Sequence, residues 1–169
     1  MDLDWLKAGM SPLKDLIDFL YKKSLTNDVQ KKQVIMELRN NLNVFKNASV
    51  NTVEFDTMID LMNNDAIQHG IKNNYQFNKL KAGCIEPFHI YDDRNKKYLG
   101  WTAEKLIEKI DEKIIEIKNI KKLNNGTVKG AKTNVSLMMS NLYFRMKLLA
   151  DFIQSDSEGH STVVEDPDE

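Results

Sequence analysis

The chain has 169 residues, of which 41% are hydrophobic and 29% are charged, and its formal net charge at pH 7 is -1. These values are typical of one soluble globular domain with its own core. The single cysteine excludes an internal disulfide, and an acidic N-terminus without a long apolar run favours neither a secretory signal nor a membrane span. We therefore expect a cytoplasmic protein that does not bind membranes.

The charged residues are distributed unevenly along the chain. Residues 155–169 carry six acids and neither Lys nor Arg, which predicts a disordered acidic tail after a helical domain at residues 1–154. Lysines outnumber arginines 21 to 3 and there are 17 asparagines. This bias can come from an AT-rich coding sequence, and it is a weak indication of a prokaryotic or mobile-element origin.

Two amphipathic helices are predicted near the N-terminus. Ser11 as N-cap and Pro12 at the first helical position predict the start of the first helix, which ends near Ser24. Thr26 or Asn27 is the predicted N-cap of the second helix. Its apolar residues share one arc of the helical wheel: Val34, Ile35, Leu38, Leu42 and Phe45.

A third helix is predicted from Asn51 or Thr52 to a stop at Gly70. Its apolar stripe consists of Phe55, Met58, Ile59, Met62 and Ala66. The following residues, 71–82, fit either a short helix or an irregular extension.

The connection at residues 83–101 has no helical period. Residues 92–95 are typical of a turn, so a short hairpin is one interpretation. We expect residues 92–97 to form a mobile tip, while Trp101 is buried and packs on Leu106 as a hydrophobic staple. A connection of this length in a compact bundle is usually functional or covers the core.

Thr102 is the predicted N-cap of the fourth main helix, on which lines of Glu and Lys pair at i,i+3 on the exposed side. Its buried stripe consists of Leu106, Ile107, Ile110, Ile114 and Ile117.

The last predicted helix, residues 133–154, carries two apolar stripes. One consists of Val135, Met139, Leu142, Met146, Leu149 and Ile153, and the other of Leu137, Phe144, Leu148 and Phe152. Together they cover an arc of roughly 220°, so this helix should be the central element of a bundle. Arg145 falls inside that arc, where a guanidinium needs a partner. It either pairs with an acid on a neighbouring helix or faces a partner chain, and the wide arc favours a dimer or a hetero-complex.

Familiar catalytic and cofactor motifs are absent from the sequence. There is no glycine-rich phosphate loop, no pair of histidines at i,i+4 and no second thiol near Cys84. A Cys84–His89 pair is better interpreted as two ordinary loop residues. Helical ribonucleases of the HEPN type place a His shortly after an Arg, and neither Arg39 nor Arg145 is followed by one. We therefore predict no catalytic residue, no cofactor and no metal site.

The contact candidates are basic and aromatic residues. The lysines around the last interhelical turn could bind nucleic acid, or they form a solvated face that the acidic tail covers. Tyr75 and Phe77 lie among amides and bases, as in proteins that bind single strands. Tyr91 and Tyr98 lie in the long connection. The complete set is Lys118, Lys121, Lys122, Lys129, Lys132, Arg145, Tyr75, Phe77, Tyr91 and Tyr98.

The sequence thus predicts an all-α, single-domain antiparallel bundle of four to five helices with one long irregular connection. We expect a non-enzymatic interaction subunit, an adaptor or accessory component of a larger cytoplasmic assembly such as a bacterial defence or mobile-element complex. Its partner would be another protein or a second copy of the chain. The alternatives are a nucleic-acid-binding module that uses the lysine-rich face, and a divergent helical nuclease.

Overall fold

The computed structural model describes residues 4–7 and 10–155. Its α-helices are α1 (Asp4–Lys7), α2 (Met10–Lys23), α3 (Val29–Val50), α4 (Phe55–Leu61), α5 (Asp65–Lys72), α6 (Ala103–Leu123) and α7 (Val135–Gln154). Between α5 and α6 lie three short 3-10 helices, Phe77–Lys79, Pro87–His89 and Asp93–Tyr98. The described residues contain no β-strand, and the prediction of an all-α bundle is confirmed.

Helix α7 is the central element, as predicted. It packs against α2, α3 and α6 and against two of the 3-10 helices. Leu142, Met146 and Leu149 are buried in the core. Both apolar stripes of α7 are covered mainly by this chain itself, although Phe144 is half-buried and Leu137 remains 56% exposed. The width of the arc is therefore explained by contacts within the chain and no longer argues for a dimer.

The apolar stripes of α3 and α6 are buried as expected, but one of the two predicted caps is different. Thr102 does cap α6, because its side chain accepts a hydrogen bond from the Lys105 N–H at 3.3 Å. Helix α3 is instead capped by Asp28, which accepts from the Lys31 N–H at 3.1 Å. An aspartate oxygen accepts from the first-turn N–H groups as well as a Thr or Asn oxygen would. Residue type alone therefore does not show which of the three consecutive residues Thr26, Asn27 and Asp28 is the N-cap. Helix α2 begins at Met10, one residue before the predicted cap Ser11.

The predicted third helix is two helices. Helix α4 ends at Leu61, α5 begins at Asp65, and Gly70 lies inside α5 rather than at a stop. At Gly70 an added Cβ would lie 2.8 Å from Cζ of Phe77. This glycine therefore permits a close approach of the Phe77 ring.

The long connection is ordered rather than mobile. Its ends are joined by hydrogen bonds from the Ile85 N–H to the Trp101 carbonyl and from the Gly100 N–H to the Ile85 carbonyl, both 2.8 Å. Cys84 and Thr102 form an isolated antiparallel β-bridge, and the hairpin is not formed. Trp101 is half-buried, not fully buried as predicted.

The expected mobile tip at residues 92–97 packs against α7. Asn95 is buried. The Arg94 guanidinium lies 3.8 Å from the ring centroid of Phe144 and donates to the Ser140 hydroxyl at 3.3 Å. A turn-like sequence does not distinguish a solvated tip from one that is anchored by contacts with a distant helix.

The predicted tail at residues 155–169 lies outside the described residues from position 156 onward. Its first residue, Ser155, is the C-cap of α7, and its hydroxyl donates to the Phe152 carbonyl at 2.7 Å. Ser155 therefore belongs to the folded domain.

Candidate functional site

A groove of about 610 Å³ runs between α3 and the junction of α4 with α5. Apolar side chains and amides form most of its lining: Met36, Leu61, Ala66, Gln33, Asn40 and Asn63. Leu61 is 58% exposed although it is a large aliphatic residue. The volume falls in the range of about 300–1,000 Å³ that is usual for binding pockets.

The groove exists because a buried polar network holds the junction open. The amide of Asn41 on α3 donates to the Asn63 carbonyl at 2.7 Å and accepts from the Asn63 N–H at 2.9 Å. It thereby satisfies both backbone groups of a residue at the helix break. Residues 62–64 leave the helical path at this point, since a side chain supplies the partners that a helix would have supplied.

Glu37, one turn before Asn41 on α3, caps α5 from outside. Its carboxylate accepts from the Ala66 N–H at 2.7 Å and from the Ile67 N–H at 3.2 Å. From the other side of the junction, Asp111 on α6 accepts from the side-chain amides of Asn64 at 2.9 Å and Gln68 at 2.6 Å. The junction is thus fixed to both α3 and α6.

Two acidic residues, Glu37 and Asp65, line the groove. Glu37 and Asp111 are buried, and within the described residues neither forms an ion pair. Burial raises the pKa of Glu37 above its usual value, against the effect of its two N–H donors, and the charges of Asp65 and Asp111 raise it further. The lining, which lies wholly within the described residues, contains no Lys or Arg.

Sequence reasoning overlooked this site, although a signal was present. Glu37 and Asn41 follow Val34 at i+3 and i+7, so both fall on the apolar stripe of α3. Asp111 occupies the corresponding position between Ile107 and Ile114 on α6. A polar side chain on a buried stripe is the same anomaly that draws attention to Arg145.

The lysine-rich turn between α6 and α7 is partly neutralised. Lys121 forms an ion pair with Asp60 and donates to the Asp56 carbonyl at 3.1 Å. Lys129 lies 3.7 Å from a Glu54 carboxylate oxygen. In the part of the chain that the structure describes, the remaining three predicted lysines have no ion pair: Lys118, Lys122 and Lys132.

Two of the four aromatic candidates belong to the core. Phe77 and Tyr98 are each 3% exposed, so their rings are not available to stack on a partner, and these two predictions are corrected. Tyr75 is half-buried and donates to the Asp28 carboxylate at 3.1 Å. Tyr91 is 74% exposed. Aromatic residues in a polar segment resemble a stacking surface in sequence, but the rings of Phe77 and Tyr98 are part of the core.

Arg145 is hydrogen-bonded to neutral groups of its own chain. It is half-buried, its Nε donates to the Tyr98 hydroxyl at 2.7 Å, and its Nη1 donates to the Lys109 carbonyl at 3.4 Å. Among the described residues it makes no ion pair, so the expected salt bridge to an acid of a neighbouring helix is corrected.

Ser155, His89 and Lys81 form a cluster that resembles a hydrolytic site but differs in its proton arrangement. The His89 Nε2 lies 2.9 Å from the Ser155 hydroxyl, and the Lys81 ammonium donates to the same oxygen at 3.1 Å. The His89 Nδ1 accepts from the Glu86 N–H at 2.9 Å, so in the neutral ring the proton is on Nε2. That histidine donates to Ser155 and cannot act as its base. The cluster anchors the end of α7.

The described residues contain no group of three or more His, Cys, Asp and Glu side chains placed to hold a metal ion. Nor does any helix among them combine the length and apolar character that crossing a bilayer requires. Comparisons of the chain with protein-family models, curated protein sequences and solved structures give no match.

Proposed function

We propose that this protein is a non-enzymatic interaction subunit that binds a cationic segment of a partner protein in the groove between α3 and the α4–α5 junction. One observation carries the proposal: an amide-lined apolar groove surrounds a junction whose carboxylates lack cationic partners among the described residues. A Lys or Arg of the partner would compensate this charge, and electrostatic complementarity of this kind gives specificity and a fast approach.

The lining favours an extended segment as the bound form. Gln33, Asn40 and Asn63 carry amides, each of which can donate to a backbone carbonyl and accept from a backbone N–H. Asn41 already binds the backbone of Asn63 in this manner. Apolar side chains beside the cationic residue would cover Leu61 and Met36.

A displayed library of short random peptides tests the proposal directly. The wild-type protein should enrich peptides with Lys or Arg between apolar residues. A synthetic peptide of the enriched sequence should bind the Leu61→Ser/Asp65→Asn variant at least about tenfold more weakly in fluorescence anisotropy. Both replaced residues are exposed, so the variant should fold normally.

The matched control is Leu123→Ser/Glu104→Gln, which makes the same kinds of change on exposed residues of α6 outside the groove. This variant should bind the peptide as the wild type does. Enrichment of acidic or uncharged peptides, or equal loss of binding in both variants, would contradict the proposal. The wider setting, a cytoplasmic assembly of bacterial defence or mobile-element type, stays a prediction from composition.

Nucleic-acid binding by the lysine-rich turn is a second candidate. It is supported by Lys118, Lys122 and Lys132, which make no ion pair in the described part of the chain, and by the absence of acids between residues 117 and 150. Binding of single-stranded DNA should weaken steeply with salt and be abolished by Lys118→Glu/Lys122→Glu. Binding that is unchanged in this variant would exclude the turn as the interface.

The remaining alternative, a divergent helical nuclease, lacks a supporting contact. Arg39 lies 5.3 Å from the ring centroid of Tyr21 and donates to the Asn40 side chain. Arg145 donates to Tyr98. Within the described residues, neither arginine is hydrogen-bonded to a histidine.

A further inference from the structure

A second cavity, of about 380 Å³, lies between α6, α7 and the segment at residues 97–101. Arg145 lines it from α7, and Tyr98 and half-buried Trp101 line it from the long connection. The remaining lining residues are charged: Lys97, Lys109, Glu112, Lys113 and Glu116. This cavity is separate from the groove of the proposed function.

Among the residues that the structure describes, Arg145 forms no ion pair. Both of its hydrogen-bond partners, the Tyr98 hydroxyl and the Lys109 carbonyl, are neutral oxygen atoms. Its Nη2 has no hydrogen-bond partner among the described residues. A half-buried guanidinium without a counter-charge loses part of its hydration and gains no ion pair in return. A ligand that brings the missing negative charge would explain the arginine at this position.

The rim adds to the positive potential. Four cations and two carboxylates line the cavity, which gives the lining a net charge of +2. The two carboxylates are held in i,i+3 pairs, Lys109 with Glu112 and Lys113 with Glu116, each at 2.7 Å. Such partly exposed pairs contribute little energy, so either lysine can turn to a stronger anion.

We propose that this cavity binds a small phosphate monoester, with the phosphate on Arg145 and the rest of the molecule against Trp101. The orientation of the guanidinium is already set, because its Nε and Nη1 are engaged by Tyr98 and Lys109. Its Nη2 remains to donate to a phosphate oxygen, and charge-assisted hydrogen bonds of this type are the strong ones. A phosphate dianion matches the net charge of the lining, whereas one carboxylate would compensate half of it.

Calorimetric titration of the full chain at low salt with adenosine monophosphate, inorganic phosphate and acetate tests the proposal. The two phosphate compounds should bind saturably, and acetate, which carries a single negative charge, should bind at least about tenfold more weakly. Arg145→Met, which keeps an apolar side chain of similar length, should weaken phosphate binding about tenfold or more. It should leave the fold intact, because it removes an uncompensated charge.

Arg39→Met is the matched control. The Arg145 guanidinium lies 5.9 Å from the ring centroid of Tyr98, and Arg39 lies 5.3 Å from that of Tyr21 but outside the cavity. It should leave phosphate binding unchanged. If Arg145→Met does not fold, Lys97→Gln decides the question, because Lys97 is exposed at the rim and this change should still weaken binding severalfold. The proposal is overturned if the phosphate compounds do not saturate the wild type, or if acetate binds as tightly. It is also overturned if the variants in the cavity bind like the control.

Discussion

Asn41 binds the backbone of Asn63 at both its N–H and its carbonyl, and these two hydrogen bonds, of 2.9 and 2.7 Å, mark the place where a predicted single helix becomes two. The residues are 22 positions apart in the chain. Because the Asn41 side chain is buried, the pairing is protected from competition with water. The groove therefore depends on this contact.

We expect Asn41→Leu to destabilise the protein by about 1–3 kcal/mol, because a leucine of similar size leaves both backbone groups of Asn63 without their partner. Urea denaturation followed by circular dichroism measures the change. Asn40→Leu makes the same substitution at the exposed neighbouring position and should alter stability by no more than about 0.5 kcal/mol. Equal effects of the two variants would show that the pairing does not stabilise the junction.

Gly70→Ala should destabilise the protein, although alanine normally favours a helix interior by about 1 kcal/mol over glycine. The added Cβ would lie 2.8 Å from the buried Phe77 ring, and overpacking of this kind costs about 1–3 kcal/mol. In a Phe77→Leu background the obstacle is smaller, so the same Gly70→Ala change should become neutral or stabilising. A double-mutant cycle by thermal denaturation measures this reversal, and strict additivity would contradict the proposed close approach.

Leu142→Ala should cost about 2–5 kcal/mol, since it creates a cavity at the centre of the bundle. Leu137 lies on the same helix but is 56% exposed, so Leu137→Ala should cost less than about 1 kcal/mol. Denaturant melts of both variants compare the two faces of α7 under one set of conditions. A loss below about 1 kcal/mol for Leu142→Ala would place α7 at the periphery.

We expect the free energy of unfolding to depend on pH because of Asp151 on α7. Burial raises the pKa of Asp151 to about 6, and Lys147, 3.6 Å away, only partly opposes this effect. A carboxyl group whose pKa is higher in the folded than in the unfolded state stabilises the fold when it is protonated. This contribution is fully present below the unfolded-state pKa near 3.8 and is lost as the pH rises through the folded-state pKa of about 6.

Asp151→Asn should therefore gain stability relative to the wild type between pH 4 and pH 7, by about 3 kcal/mol at most from the shift in pKa. Urea melts at several pH values measure this difference. Asp18→Asn removes an exposed carboxylate from α2 and controls for the loss of one negative charge. A constant difference between Asp151→Asn and the wild type over this range would contradict the effect of burial.

Periodicity along the chain was sufficient to predict the buried stripes of α3, α6 and α7 and the central place of α7. Apolar residues that recur every three or four positions form one face of a helix, and that face is buried whichever element packs on it. The burial can therefore be predicted from the local sequence alone. The Thr102 cap was predicted for the same reason, because a cap satisfies the N–H groups of its own helix within three residues.

The packing of the helices, and not the local pattern, determines the break between α4 and α5, the burial of Phe77 and Tyr98, and the lack of an ion pair at Arg145. The break depends on contacts between residues that are far apart in sequence, Asn41 with Asn63 and Glu37 with Ala66. The surroundings of Arg145 likewise depend on Tyr98, which is 47 positions away. A single polar residue on an apolar stripe indicates in sequence that a partner is needed. Which group meets it depends on how the helices pack, because that packing determines which side chains and backbone groups come within hydrogen-bond distance.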